Sequence, residues 1–355
     1  MSDRYPIPEL LAFIEAVLHR CGVPSDHACI TARRMLEADV RGMSGHGIFR
    51  LPQYVARIEA GGYNLHPDIR AAHETSISAL IDGDNGLGQV VVSRAAETAI
   101  AKADEHGLAW VGVRGSNHAG AAGVYAAMAL EHDLIGLYLA VGSSNHLPPW
   151  GGLDPLLSTN PMAVAIPAGR EPPVVLDMAT TVVSYGRIKI AAERGETLPV
   201  GWMVDRTGAP LTDPGRSSEG FLVPIGGYKG YGLGLVIGML AGVLNGAAFG
   251  SRVVDFTTDH EAPTNTGQAI VMVRPDLFRP LAEFKAEMDE RIRELRTSTP
   301  IPGWPPIRIP GDQATQRATA AAQEGISVNS GTADRLRQLA ERLGSTAHPF
   351  ASQSA

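Results

Sequence analysis

The chain has 355 residues, long enough to bury a large core and to form about two domains. Its net charge of −7 comes from 37 acidic and 30 basic side chains that are interspersed, so it lacks the concentrated positive field that a nucleic-acid partner requires. Its two cysteines, Cys21 and Cys29, are too few for a disulfide framework or a structural zinc site and point to a reducing, cytoplasmic compartment.

The opening MSDRYPIPELL lacks the basic head and apolar run of a signal peptide. Within the first sixty residues Leu10, Leu11, Ile14, Val17 and Leu18 form a helical stripe that stops at Gly22. Further helices are expected over about 25–38 and about 49–60, the last closed by Gly61 and Gly62. From about Asp68 the period shortens. ISALI, LAWVGV, LIGLYLAV, MAVAIP, PVVLDM and QAIVMV read as strands, separated by the helical patterns VVVSRAAETAIAKADEHG, AGVYAAMALEHD and GLGLVIGMLAGVLNG. That alternation predicts an α/β layer architecture. The apolar run over 232–250 is glycine-rich, interrupted by Asn245 and without a basic flank, so it reads as a buried helix rather than a membrane span. A charged helix over about 281–296, the proline-rich STPIPGWPPIRIPG and two polar helices follow, and the last eight residues read as disordered.

No Gly-x-Gly-x-x-Gly after a strand and no Gly-x-x-x-x-Gly-Lys-Ser/Thr is present, so any dinucleotide must be held by other means. In RGMSGHGIFRLPQY the polar set is Ser44, His46, Arg50 and Tyr54. Positions 46, 50 and 54 would share a helix face, but Pro52 fits only in a first turn, which places His46 on the glycine-flanked turn before it. The set could clamp a carboxylate through Arg50 with His46 and Tyr54 near the reacting oxygen, or it could be a solvated face. In RGSNHAGAAGVYAA, His118 follows an apolar strand, where a histidine can exchange protons at neutral pH or be satisfied by loop carbonyls. Asp177 within an apolar run calls for a partner, with a histidine the obvious candidate. Lys229 between glycines could face a phosphate or carboxylate, or simply solvent. Metal catalysis and a serine hydrolase find no supporting spacing.

The ordered stretches ADVRGMSGHGIFRLPQY, GSNHAGAAGVYA, LSTNPMAVAIP, VVLDMATT, LPVGWMVDRTG, GGYKGYGL and IPGD, over 38–312, resemble the type-two malate/L-lactate dehydrogenase family. That family includes ureidoglycolate, sulfolactate and diketogulonate oxidoreductases and piperideine-carboxylate reductases. The resemblance implies an α/β fold with a mixed sheet in a non-Rossmann nicotinamide-binding domain over 67–300. A helical domain would combine segment 1–66 with segment 301–355, and the active site would be completed in a homodimer. It implies hydride transfer between NAD or NADP and C2 of a small 2-hydroxy or 2-oxo acid, with cyclic imino acids, ureidoglycolate or sulfolactate as alternative substrates. An inactive ligand-binding homologue is the non-enzyme alternative.

Carried over by position, His46, Arg50 and Tyr54 form the substrate-facing helix start and His118 is the catalytic histidine. On chemical grounds His118, or in its place His46, is expected to donate the proton, with Asp177 a candidate for orienting His118. Arg50, Tyr54 and Ser44 would hold the carboxylate substrate. Asn160, Asp177, Met178, Ala179, Thr180, Lys229, Gly230, Pro310, Gly311 and Asp312 would hold the cofactor, and no metal is implied. Two positions depart from the family pattern. Gly45 stands where a serine usually precedes the histidine, and Asp312 stands where a glutamate is usual.

Overall fold

The stripe read at the start of the chain is buried in a core that the two ends of the sequence build together. The computed structural model describes residues 3–345 and 348–350. Strand β1 (Asp3–Tyr5) precedes α1 (Ile7–Arg20), α2 (Ser25–Val40) and α3 (Leu51–Glu59). The middle of the chain forms β2 (Arg70–Glu74), β3 (Ser78–Asp82), α4 (Gly88–His106), β4 (Leu108–Ser116), α5 (Ala122–Ala127), β5 (Ile135–Ala140), β6 (Met162–Ile166) and β7 (Val174–Met178). There follow α6 (Tyr185–Glu193), β8 (Met203–Asp205), β9 (Gly220–Leu222), α7 (Tyr228–Ala241), β10 (Thr266–Val273) and α8 (Leu281–Arg296). The chain then returns to the first helices through α9 (Asp312–Glu324), β11 (Ile326–Val328) and α10 (Ser330–Arg342).

Leu10, Ile14, Val17 and Leu18 share one hydrophobic core with Ile326, Leu336, Leu339 and Phe350. Strand β1 pairs antiparallel with β11, Asp3 opposite Val328, so the chain ends are also joined by a ladder. Of the last eight residues, 351–355 lie outside the described ones. Phe350 is buried against Tyr5 at a ring distance of 4.7 Å, contrary to the disorder expected at that position.

Seven strands form a mixed sheet in the order β2-β3-β4-β10-β5-β6-β7, with only the β3–β4 pair parallel. Helices α4 and α5 pack on one face, burying Val91, Ala95, Ala99 and Tyr125 against Val111, Tyr138 and Ile270. Helix α7 covers the other face, with Ile237 and Ala241 against Leu139, Val141 and Ala269. The close seat of α5 depends on Gly136 of β5, where a Cβ would lie 2.3 Å from the Ala126 carbonyl oxygen.

All six strands read from short apolar runs are present, whereas β2 was missed because RAAHE is exposed along its whole length and carries no pattern. The segment before α3 forms two 3₁₀ turns, Ser44–His46 and Ile48–Arg50, and α3 starts at Leu51 with Pro52 in its first turn. Helix α7 begins at Tyr228, earlier than the apolar run, and gives way to a 3₁₀ turn before Gly246, which takes φ +70°.

Candidate active site

The polar residues of the first and second motifs meet where α2 ends and α5 begins. His118 lies between β4 and α5, and its Nδ1 is 2.8 Å from the hydroxyl of Tyr54 on α3. Its ring stacks on Phe256 at 4.5 Å between centroids and 11° between planes, and His46 stacks near it at 5.6 Å. Arg50 sits over Phe256 at 5.5 Å. Its Nε donates to the Gly45 carbonyl at 2.8 Å and one terminal nitrogen donates to Gln53 Oε1 at 2.9 Å. Among the described residues its guanidinium has no ion-paired carboxylate, and Nδ1 of His46 is buried without a hydrogen-bond partner. The unpaired guanidinium and the orphaned imidazole nitrogen form a donor set that fits an acid bearing a polar atom beside its carboxylate.

The electrostatics follow from burial. Desolvation pulls His46 down to about 4, with the charge of Arg50 adding to the effect. Desolvation also holds His118 well below its ordinary value, reinforced by Arg50 and His46. The Tyr54 phenol is pushed far up by burial and stays protonated. At neutral pH both histidines are therefore uncharged, and Tyr54 can accept a hydrogen bond from Nδ1 or donate one to it.

This cluster is held by residues that sequence reading passed over. Asp39 on α2 accepts the Ile48 amide at 2.7 Å, and a Cβ on Gly47 would run into its carboxyl. Asp39 thus pins the turn that separates His46 from Arg50. Asn117 is fully buried and donates to Gly86 O at 2.9 Å while accepting from Thr264 Oγ1 at 2.9 Å, fixing the loop before His118. Gly88 opens α4 so close to that loop that a Cβ would lie 2.5 Å from the His118 carbonyl oxygen. Arg57, with no exposed surface, donates to the carbonyls of Asp259, Gly62 and Ala262 and so anchors the segment that carries Phe256. None of these has a periodic signal. The polar alternation of VVDFTTDH hides a ring that the fold presses against a histidine.

The side chain hydrogen-bonded to the His118 ring is Tyr54 and not Asp177, the candidate expected there. Asp177 faces α5, and its Oδ2 takes the Gly123 amide at 2.7 Å, one of the helix-start donors with no partner inside the helix. Burial raises its carboxyl to about 6, opposed by that amide and by Arg41. Ser44 is exposed in the first 3₁₀ turn, and a side chain at Gly45 would project into open space.

The segments expected to hold a cofactor converge around β7. Met178 closes the strand opposite Met162, and Ala179 leads to Thr180, whose carbonyl accepts the Ile225 amide at 3.0 Å. Gly230 in the first turn of α7 is buried, whereas Lys229 beside it is exposed and without an ion pair among the described residues. Asn160 spends its amide on Gly142 N and Gly234 O, at 3.1 and 2.8 Å, so it braces the α7 side rather than offering a free group. Pro310 O accepts the Val175 amide at 3.0 Å, which places Gly311 against β7. The Asp312 carboxylate is likewise committed, to Ile309 N at 2.8 Å and Arg296 at 2.9 Å. Lys229, the one cation of these segments without an ion pair among the described residues, fits a dinucleotide phosphate.

Among the described residues no cluster of three or more His, Cys, Asp or Glu is placed to hold a metal ion, and no helix is long and apolar enough to cross a membrane. The sequence profile described as malate/L-lactate dehydrogenase matches residues 5–337. Malate dehydrogenase of Pyrococcus abyssi is 38% identical over 353 residues, covering 96% of this chain and 95% of that protein. L-sulfolactate dehydrogenase of Methanocaldococcus jannaschii is 38% identical over 328 residues, covering 92% and 94%. The solved malate dehydrogenase of Pyrococcus horikoshii superposes with a TM-score of 0.89 at 36% identity, over 97% of this chain and 96% of that one.

Proposed function

Because the chain belongs to the malate/L-lactate dehydrogenase family, we propose that His118 exchanges the proton, and Arg50 holds the carboxylate, in hydride transfer between NAD or NADP and C2 of a small 2-hydroxy or 2-oxo acid. The observation that carries this reading is the 2.8 Å contact between Tyr54 and His118, near an Arg50 guanidinium that has no carboxylate partner among the described residues. The nicotinamide, when bound, accepts or supplies the hydride. Lys229, the 177–180 segment and Gly311 are the residues offered to it, in a domain that holds the dinucleotide without a Rossmann fingerprint.

In the oxidative direction His118 must remove the hydroxyl proton. With Nδ1–H donated to the Tyr54 oxygen, Nε2 is bare and faces the reacting centre as a base. Burial keeps it neutral and ready at pH 7. In the reductive direction it must carry a proton, which Arg50 opposes. A substrate carboxylate seated on Arg50 cancels that opposing charge and restores basicity to His118 when substrate is present. His46 Nδ1 supplies a hydrogen bond to the same centre or to the carboxylate. Gly45 leaves room beside that carboxylate for the part of the acid that differs between substrates.

The dimer belongs to the same reading. Val236 and Met239 of α7, with Leu244, Trp150 and Tyr228, leave an exposed apolar surface for a second copy. A panel of 2-oxo acids and cyclic imines, assayed in parallel with NADH and NADPH, tests the reaction. Absence of any acid- or imine-dependent change in nicotinamide absorbance would refute it.

A further inference from the structure

The first turn of α4 brings one more polar side chain to the histidine cluster. Gly88 there would place a Cβ 2.5 Å from the His118 carbonyl oxygen, and Leu87 and Val90 share one hydrophobic core with Tyr54. Gln89, between them, is 1% exposed, and among the described residues no hydrogen bond of close geometry commits either Oε1 or Nε2 of its amide. A buried amide with both ends unspent costs stability and calls for an explanation. The group it faces is the Tyr54 phenol, on which Gln89 acts as a hydrogen-bonding side chain while Tyr63, Arg50 and Tyr125 act through charge.

That phenol is a link with two directions. Its oxygen lies 2.8 Å from Nδ1 of His118, and it carries one proton. If the buried hydroxyl has no other acceptor, it must donate to Nδ1. The single proton of the neutral imidazole then sits on Nε2, and no base faces the reacting centre. If an acceptor stands on the other side, the O–H turns to it and the phenol oxygen is free to take Nδ1–H. An amide oxygen is such an acceptor.

We propose that Gln89 is a positioning residue for the proton exchange: its Oε1 accepts the Tyr54 O–H, Tyr54 accepts Nδ1–H of His118, and Nε2 is left bare. The proposal rests on the reading of His118 as the proton-exchanging group. When Nε2 takes the proton of the substrate hydroxyl, the imidazolium that forms keeps its Nδ1–H on Tyr54, and no proton passes to Tyr54 or Gln89. In the reverse direction Nε2 returns the proton and the same two hydrogen bonds remain. Gln89 thus never touches substrate and acts through the tautomer it holds.

The experiment is ¹⁵N NMR of the full chain labelled at histidine, at neutral pH and without substrate, with the His118 signals assigned by their loss in His118→Asn. The wild type should carry the His118 proton on Nδ1. Gln89→Met, close to glutamine in shape but without the acceptor, should move it to Nε2 and lower kcat about tenfold or more, with KM within about twofold. Gln89→Leu repeats the test in a second apolar shape, and melting temperature checks that each variant is folded. Gln89→Glu, which keeps an acceptor oxygen, should retain the Nδ1 proton. In a Tyr54→Phe background Gln89→Met should add no further loss of kcat, because the link is already cut. A wild type protonated on Nε2, a folded Met or Leu variant with an unchanged tautomer, or full additivity with Tyr54→Phe overturns the assignment. The tautomer is read without cofactor or acid. A Gln89-dependent Nδ1 proton in a protein with no nicotinamide-linked activity therefore refutes the dehydrogenase reading and leaves the control of His118 by Gln89 standing.

Discussion

Asp39→Asn is expected to stabilise the protein progressively as pH rises. Burial lifts the Asp39 carboxyl from 3.8 to about 7, against the lowering effect of the Ile48 amide. Between those values the folded chain keeps a proton that the unfolded chain has released, so this residue's contribution to stability is full below pH 4 and is lost as pH rises to about 7. At about 1.4 kcal/mol per pH unit the loss is capped at roughly 4 kcal/mol. Asparagine carries no such linkage, and its amide oxygen can still accept the Ile48 N–H that holds the turn. Melting temperature and denaturant midpoint of the two proteins, compared at pH 5, 6, 7 and 8, give the difference directly. Asp177, raised in the same direction, and His46, lowered, titrate alike in both proteins and cancel. The variant should gain on wild type across this range and retain catalytic efficiency within a few-fold. A stability difference that stays flat from pH 5 to 8 would show that Asp39 is ionised in the fold and that the argument from burial is mistaken.

His118→Ala should lower turnover by ~10²–10⁴ while leaving dinucleotide affinity nearly intact; near-normal turnover would transfer the proton to His46. Tyr54→Phe leaves Nδ1 of His118 buried without a partner, which should cost ~1–3 kcal/mol of stability, and, by freeing the tautomer that bares Nε2, should also lower kcat several-fold. A kcat within twofold of wild type would remove Tyr54 from the mechanism. Arg57→Met strands three carbonyl groups and should cost about 3–5 kcal/mol in denaturant unfolding, and a loss below about 1 kcal/mol would contradict the role given to its contacts. Gly88→Ala pushes on the His118 carbonyl and should cost ~1–3 kcal/mol of stability together with kcat, with crystallography or NMR reporting a displaced His118 loop.

Much of the architecture was legible because it is periodic. The strands β3, β4, β5, β6, β7 and β10 are short apolar runs bounded by glycine, proline or polar residues, and the α1 stripe repeats with the helical turn. His118 was legible because it stands where an apolar strand gives way to a small-residue helix, and Arg50 because it lies four residues from both His46 and Tyr54. Phe256 was not, since its importance arises from stacking on a ring 138 positions earlier in the chain. The partner of Asp177 was misassigned for a related reason. A lone carboxylate in an apolar run announces that it needs a donor, but a backbone amide at a helix start leaves no trace in residue identity. Asp312 shows the converse, because its conspicuous position suggested a ligand while its oxygens are used to begin α9 and to hold Arg296.

The ladder between β1 and β11 also sets an order of events during synthesis. Leu10, Ile14 and Leu18 leave the ribosome among the first residues, yet Ile326, Leu336 and Leu339, which cover them, are made more than three hundred residues later. Until then the opening helices carry an uncovered apolar face, and the segment bearing His46 and Arg50 is not held against His118 by a finished core. Nascent chains arrested before residue 320 should therefore bind holdase chaperones through their first forty residues, and release should coincide with the pairing of Asp3 and Val328.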